Sequence, residues 1–231
     1  MNKATEHVAP AEAMDQIGTV LRRIIEALAA ALLEEGPITF SKLDIKDGFW
    51  RMTSAEGEEW NFAYVLPSNP GEPVQIVVPS ALQTGWAESL PFFCAASETA
   101  RDVAETYTSK RVGTLSAHPL EEGTMPPDLA FDERLPRVAD MEGNEKSTFL
   151  QMLEVYVDNC IQMAQTQDPT ILRHCTRAVM HGIHSVFPPP EVSGHSGEDP
   201  ISQKKLRDGE GLWEVRFSPL CPDTSGGGNT L

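Results

Sequence analysis

The sequence predicts an α+β fold in which helices cover one face of an antiparallel sheet. Three observations support this prediction. Long segments near the start, in the middle and near the end have apolar residues at helical spacing. Short runs of β-branched and aromatic residues, separated by turn residues, lie between them. The resulting order is a helix, several strands, a helix, a loop, a hairpin and a helix, which favours an antiparallel sheet with its helices on one side.

Composition limits the class of protein. The 231 residues are 40% hydrophobic and 23% charged, which suits one globular domain with a core. No apolar run reaches the roughly 18 residues that span a bilayer, and residues 1–15 lack a secretory pattern. We therefore expect an intracellular protein, cytoplasmic or nuclear, without a membrane partner. The four cysteines are scattered without pairs at metal-site spacing, which fits reduced thiols better than a disulfide framework. The formal charge of −16 argues against tight independent nucleic-acid binding.

The first half of the chain contains most of the predicted elements. Residues 1–10 are predicted to be disordered. Apolar residues at helical spacing predict a helix over 11–33, which Gly36 and Pro37 end. Runs rich in apolar and β-branched residues predict strands near 38–45, 49–52, 58–67 and 73–80. A second helix, over about 87–107, completes a first unit at 11–107.

The second half begins with a change in composition. Residues 108–146 are rich in proline and acid and predict an insertion or long loop. Residues 147–165 predict two strands around a tight turn at Asp158 and Asn159, because Asx residues tolerate positive φ. Asp168 and Pro169 are typical of a helix start, so a helix is expected to about 186, within a unit at 147–187. Residues 188–231 predict a linker and a tail of low order.

Two carboxylates are placed where they could act together. Asp44 ends a predicted strand, and Asp158 lies at the tip of the predicted hairpin. Carboxylates on adjacent strands of one sheet can hold divalent cations such as Mg²⁺, which prefer oxygen ligands. Two such ions, about 4 Å apart, are suited to phosphoryl transfer. The alternative is that these residues are an ordinary loop acid and an ordinary turn acid.

Three motifs occur in order around these carboxylates: SKLDIKDGFW at 41–50, SALQTGWAESLPFF at 80–93, and YVDN at 156–159. Together they resemble the reverse transcriptase domain of Gypsy-type LTR retrotransposon pol polyproteins, and the resemblance covers roughly 7–214. It implies an RNA-directed DNA polymerase palm, which is a ferredoxin-like antiparallel sheet with helices on one face. Such a palm concentrates acid at its metal site, so the resemblance is compatible with the net charge.

The resemblance also implies a catalytic metal centre. Asp44, Asp158 and the backbone carbonyl of Ile45 would bind two ions of Mg²⁺ or Mn²⁺. Asn159 stands where the family has a second aspartate of the hairpin, so this site is expected to be weakened. The implied partners are an RNA or DNA primer–template, dNTPs and the rest of a pol polyprotein.

The implied substrate contacts surround this centre. Phe49 would block the 2′-hydroxyl of a ribonucleotide, and Tyr156 would pack beneath the primer end. Contacts with the template and the incoming nucleotide are implied for Gln83, Thr84 and Gly85. Trp86, next to that glycine, is a candidate for stacking on a base, with ordinary packing as an equal alternative.

Departures from the family pattern leave two other functions open. The family's upstream fingers strands have no counterpart, and the segment after Trp213 does not continue towards a thumb, so fingers and thumb are expected to be incomplete. One alternative to a polymerase is therefore a non-catalytic retrotransposon relic or interaction module. The other is a protein that binds nucleic acid without chemistry.

A second possible metal site is less well supported. His174, Cys175, His181 and His184 lie on one predicted helix. No matching second pair of ligands is found elsewhere in the sequence. Zinc is therefore not expected there.

Overall fold

The computed structural model describes residues 10–31, 36–125, 150–166, 168–190 and 197–217. The predicted disordered segment 1–10 lies outside these residues except for Pro10, and so do the predicted loop beyond 125 and the predicted tail beyond 217. Within them, no helix is long and apolar enough to cross a membrane.

The protein contains five α-helices and six strands within the described residues. The helices are α1 (Ala11–Gly18), α2 (Val20–Ala30), α3 (Ser89–Thr108), α4 (Pro169–Val186) and α5 (Gln203–Arg207). The strands are β1 (Ile38–Asp44), β2 (Tyr64–Val65), β3 (Ile76–Val77), β4 (Gln151–Tyr156), β5 (Asn159–Ala164) and β6 (Glu214–Phe217).

A four-stranded antiparallel sheet with the order β4–β5–β1–β6 forms the centre of the fold. The hydrophobic core includes Leu43, Val155 and Cys160 from three adjacent strands of this sheet. Helices α3 and α4 supply further members of the same core, such as Ala104 and Met180. The predicted α+β class, with helices against an antiparallel sheet, is thus confirmed.

Helices α3 and α4 approach each other closely at Gly182. A Cβ atom at this position would lie 2.7 Å from the carbonyl oxygen of Ala100 and 2.7 Å from the Cβ of Ala104. Only a glycine fits this contact, and it lets the two helices pack as one layer behind the sheet.

Three predicted elements of the first half differ in the structure. The predicted helix 11–33 is interrupted at Thr19, whose hydroxyl donates to the carbonyl of Gln16 at 2.9 Å and competes with helical hydrogen bonding. The predicted strands near 49–52 and 58–67 begin instead as 3₁₀ turns at Gly48–Arg51 and Glu59–Phe62. The chain turns at Asp47, which is left-handed with φ 55°, so it cannot continue as an extended strand there.

The hairpin turn is shifted by one residue from the prediction. Its two turn residues are Val157 and Asp158, and Asn159 is the first residue of β5. Val157 has φ 58°, an unusual conformation for a β-branched residue. Asn159 pairs with Asp44 of β1, and Val157 packs on the core. These long-range contacts outweigh the local preference of Asx residues for the turn.

Parts of the predicted loop and linker belong to the folded unit. In the segment before residue 126, the buried residues His118, Glu121 and Thr124 face α4. In the segment after residue 197, β6 pairs with β1, and Trp213 is buried with its indole N–H donating to Thr176 at 2.9 Å. Local composition did not reveal these elements because long-range packing determines them.

Candidate metal centre

Three residues of the motifs form a row across the sheet. Tyr156 of β4 pairs with Asn159 of β5, which pairs with Asp44 of β1. Directly paired residues of antiparallel strands point to the same face. The adjacent row, Val155, Cys160 and Leu43, packs in the core. The Asp44 row therefore points to the face of the sheet opposite to that core.

Asp158 is held next to the end of β1. The backbone N–H of Ile45 donates to the carbonyl oxygen of Asp158 at 2.8 Å. The Asp158 carboxyl is partly buried, and this desolvation raises its pKa, with the nearby Asp44 carboxylate adding to the rise. The structure thus brings Asp44, Ile45 and Asp158 together. The two neighbouring carboxylates repel each other, and a positive charge close to them would reduce this repulsion.

Lys205 of α5 supplies positive charge that the sequence motifs did not indicate. Its Nζ atom lies 2.6 Å from Oδ1 of Asp44, and the side chain of Asp44 is only 10% exposed. This hydrogen bond raises the pKa of Lys205. The backbone N–H of Ser202 also donates to the carbonyl of Asp44, at 3.1 Å, and holds the segment before α5 in place. A run of basic residues at 204–207 was the available signal, but nothing in the sequence placed it beside β1.

Asn159 contacts the second acid directly. Its side-chain Nδ2 donates to Oδ1 of Asp158 at 2.7 Å. An aspartate at this position would have no such proton to donate. The amide therefore compensates part of the charge that Asp158 carries, and each of the two acids has a partner within the chain.

The donor set suits a hard divalent cation. Oxygen ligands are available from two carboxylates, from the amide of Asn159 and from the backbone carbonyl of Ile45. Proteins commonly hold Mg²⁺ by one or two carboxylates, with water or phosphate completing its coordination shell. The Cys160 thiol beneath the site faces the core, on the side of the sheet away from Asp44, and burial raises its pKa to about 12. Within the described residues, no group of three or more His, Cys, Asp and Glu residues could hold a metal ion.

The second motif forms a compact turn at the start of α3. Gly85 has φ 98°, which other residues rarely adopt. The amide of Gln83 donates to the carbonyl of Ala81 at 2.8 Å, and the hydroxyl of Ser89 donates to the carbonyl of Gln83 at 2.7 Å. Thr84 and Gly85 are exposed, while Gln83 is half-buried. Their backbone geometry is thus fixed by local hydrogen bonds.

Two aromatic side chains of the motifs are partly used in packing. Trp86 is half-buried, with its ring centroid 5.1 Å from that of Phe62 and 5.9 Å from that of Phe92. Phe49 lies 5.1 Å from Phe93 and packs against the edge of the core. Tyr156, in contrast, is 49% exposed beside Asn159.

The histidines of α4 are connected to groups other than a metal. His174 contacts the carbonyl of Thr108 through Nε2 at 3.0 Å. His184 lies 3.0 Å from the Asp199 carboxylate through Nε2 and 3.1 Å from His118 through Nδ1. These hydrogen bonds link α4 to the end of α3, to the loop that contains His118 and to the segment that contains Asp199.

No protein-family model matches the chain, and no match was found among curated proteins or solved structures.

Proposed function

We propose that this chain is the palm of an RNA-directed DNA polymerase of the Gypsy-type reverse transcriptase family, with a weakened metal centre. The observation that carries the proposal is the meeting of Asp44 and Asp158 at one end of adjacent strands. The three sequence motifs come from separate parts of the chain. The motifs around residues 44 and 158 each bring one aspartate to the same place in the fold. Two aspartates without a shared role would not be expected to meet in this way.

The reaction proposed is DNA chain extension. The 3′-hydroxyl of a primer loses its proton to water, its oxygen bonds to the α-phosphorus of a dNTP, the bond from that phosphorus to the leaving oxygen breaks, and pyrophosphate departs. Mg²⁺ or Mn²⁺ held by Asp44, Asp158 and the Ile45 carbonyl would stabilise negative charge on the attacking and leaving oxygens. The exposed ring of Tyr156 is available to support the primer end. Gln83, Thr84 and Gly85 would line the nucleotide site.

Basic side chains border this face in spite of the acidic total charge. The 42–51 segment and α5 are brought together by the Lys205–Asp44 hydrogen bond and by the bridge between Ile45 and Ile201. These two segments carry the basic residues Lys42, Lys46, Arg51, Lys204, Lys205 and Arg207. Lys42 and Lys46 also pair with glutamates, so the positive potential is partly neutralised. Binding to a phosphate backbone is therefore expected to be weak and salt-sensitive.

The contacts of Asn159 and Lys205 favour a second candidate function, in which the chain is a palm-like binding module without catalytic activity. Asn159 contributes no negative charge, and its amide already pairs with Asp158. The Lys205 ammonium already neutralises Asp44. A site whose acids are both paired inside the chain has less affinity for an external cation. In this case the chain would act by binding a partner.

Primer extension by the purified chain separates the two functions. Incorporation of dTTP on a poly(rA)–oligo(dT) template should require Mg²⁺ or Mn²⁺ and should rise at least tenfold in Asn159→Asp, because a third negative charge strengthens the cation site. Asp44→Asn and Asp158→Asn should abolish incorporation in both backgrounds. Asp102→Asn, which alters an exposed acid of α3, is the matched control and should leave incorporation unchanged.

Cation binding provides a second, independent measurement. Mn²⁺ titration followed by water-proton relaxation should show a saturable site that Asp158→Asn weakens. Lys205→Met should tighten Mn²⁺ binding, because the ammonium no longer competes for Asp44. If Asn159→Asp binds Mn²⁺ more tightly yet incorporates no nucleotide, the polymerase proposal fails and the binding module is supported. If neither Asp44→Asn nor Asp158→Asn changes Mn²⁺ binding, the metal centre itself is wrong.

A further inference from the structure

Residues 113–120 form a strap beside α4, in the segment that follows α3. Most of the strap is exposed, and its only buried residue is His118, which is 5% exposed. The strap and α4 border a cleft of about 540 Å³, which Thr114 and Ser116 line from the strap side. Leu120 packs against the edge of the core at the end of the strap, so the attachment of the rest depends mainly on His118.

A chain of hydrogen bonds runs from the strap through two histidines to a carboxylate. The backbone N–H of Leu120 donates to Nδ1 of His118 at 3.2 Å, so the proton of a neutral His118 is on Nε2. This Nε2 lies 3.1 Å from Nδ1 of His184 and donates to it. The proton of His184 is then on Nε2, which lies 3.0 Å from Oδ1 of Asp199. One backbone N–H and one carboxylate thus fix the tautomers of both imidazoles.

The two linked imidazoles have no place for an added proton. Nδ1 of His118 already accepts from Leu120, and Nδ1 of His184 already accepts from His118. A proton on either nitrogen would turn one N–H towards another and break one of these bonds. The bond from His181 Nε2 to the carbonyl of Ser116, at 3.0 Å, is different, because it survives protonation of His181. The His118–His184 contact is therefore the acid-sensitive attachment of the strap.

The surroundings of His118 set the pH range of this sensitivity. Burial, followed by the charges that His184 and His181 would carry, lowers the pKa of His118 to about 4. Asp199 and Glu121 oppose this lowering, but they are engaged by His184 and Arg177. Because the pKa is lowered, the attachment is fully present above pH 6.5 and weakens progressively as the pH falls to about 4. The titratable and charged groups around His118 in the described residues are His181, His184 and Arg177 of α4, Asp199 after α4, and Glu121 of its own segment.

We propose that the 113–120 strap is an acid-sensitive gate, which His118 keeps closed on α4 at neutral pH and which opens more often as the pH falls. Gly113, with φ 84°, provides a turning point at one end. At the other end Glu121 stays bound to Arg177 and anchors the chain. Opening widens the cleft and uncovers the histidines of α4 that line it. The gate is independent of the proposed polymerase function.

Amide hydrogen exchange of the full chain, followed by NMR, tests the gate. Because the pKa of His118 is about 4 in the closed strap and 6.5 when exposed, the opening constant should rise about twentyfold from pH 7 to pH 5. The Leu120 amide reports this rise once its exchange rate is divided by the intrinsic rate at each pH. At both pH values it should exchange at least roughly tenfold faster than the amides of the central strand β5, since the gate opens without global unfolding.

Two variants and one direct measurement identify the group that senses acid. His118→Gln replaces the imidazole with an amide that can donate to His184 but does not titrate, so the pH effect at Leu120 should fall below about twofold. His174→Gln is the matched control on α4, because His174 contacts the Thr108 carbonyl outside the strap, and it should retain the full pH effect. NMR of ¹⁵N-labelled histidines in the unaltered chain at pH 7 should show the Nε2–H tautomer at His118 and at His184.

Four results would overturn the proposal. An Nδ1–H tautomer at either His118 or His184 would contradict the chain of hydrogen bonds, and this result needs no variant to fold. Equal protection of Leu120 at pH 7 and pH 5 would show that the strap does not respond to acid. Equal protection of Leu120 and of β5 would show that the strap opens only when the whole chain unfolds. A full pH effect in His118→Gln would mean that another group senses the acid.

Discussion

Asn159→Asp is the substitution that tests the electrostatics of the candidate metal centre most directly. In the structure the Asn159 amide donates to the Asp158 carboxylate at 2.7 Å. The substitution removes that hydrogen bond and places a new carboxylate beside Asp158. The new carboxylate also lies close to Asp44, which pairs with position 159 in the neighbouring strand. Without a bound cation, three acids would then share one end of the sheet, and folding should become less favourable.

The expected loss of folding free energy has an upper limit set by protonation. Two unit charges 4 Å apart repel by about 4 kcal/mol at an effective dielectric constant of 20. The new carboxyl can avoid this repulsion by keeping its proton, which costs about 4 kcal/mol at pH 7 for an ordinary aspartate pKa near 3.9. We therefore expect a loss of about 2–4 kcal/mol at pH 7. At pH 5 protonation costs only about 1.5 kcal/mol, so the loss should shrink to about that value.

The sign of this pH dependence follows from the raised pKa of the new carboxyl in the folded state. The folded state then binds the proton more strongly than the unfolded state does, so its stability decreases as pH rises. Urea unfolding at pH 5 and pH 7 measures the two values. Addition of Mg²⁺ at ten times its dissociation constant should restore about 1.4 kcal/mol.

Asn61→Asp is the matched control for this prediction. The Asn61 amide also donates to a carboxylate, that of Glu58, at 2.6 Å, but the pair is exposed to solvent. Screening by water should keep the cost of this control below about 1 kcal/mol. The reasoning is refuted if Asn159→Asp costs no more than Asn61→Asp, or if its cost is the same at pH 5 and pH 7.

Three further predictions concern the fold. Gly182→Ala should lower the free energy of unfolding by about 1–3 kcal/mol, because the new methyl group meets α3 at 2.7 Å; chemical denaturation measures it. Glu121→Gln should cost about 3 kcal/mol by the same measurement, because Glu121 is buried and both of its oxygens pair with Arg177, at 2.5 and 2.7 Å. Burial lowers the pKa of His118 from 6.5 to about 4, so stability present above pH 6.5 should fall by about 3 kcal/mol as pH falls to 4. His118→Leu should flatten that part of the pH profile.

Each of these three has a simple counter-test. Gly18→Ala places a methyl group in open space at the end of α1 and should be neutral or slightly stabilising, so an equal effect at both glycines would contradict the packing argument. A Glu121→Gln protein as stable as the unaltered chain would show that the Arg177 pair contributes nothing. An unchanged pH slope in His118→Leu would assign the acid sensitivity to other groups.

Local pattern was sufficient for much of the secondary structure. The helices α3 and α4 lie close to their predicted limits, and the Asp168 side chain accepts from the N–H of Thr170 as an N-cap, with Pro169 following it. The strands of the hairpin were also expected. Such features depend on hydrogen bonds and side-chain spacing between near neighbours, which the sequence displays directly.

For the candidate site, the sequence determined which acids could act and tertiary structure decided what surrounds them. The motifs around Asp44 and Asp158 were visible in the sequence, and so was the absence of a third acid at Asn159. The pairing of Asp44 with Lys205 was not, because the two residues are 161 positions apart.

The last segment shows the same division most clearly. Residues 197–217 were expected to be linker and tail, yet they supply the strand beside β1 and the lysine on Asp44. A short strand and a one-turn helix have little stability alone, since their hydrogen bonds and apolar contacts depend on distant partners. The sequence by itself determined the helices, the hairpin and the identity of the acids. Only the tertiary structure decided the register that aligns Asp44 with Asn159 and the position of Lys205, whose charge neutralises Asp44.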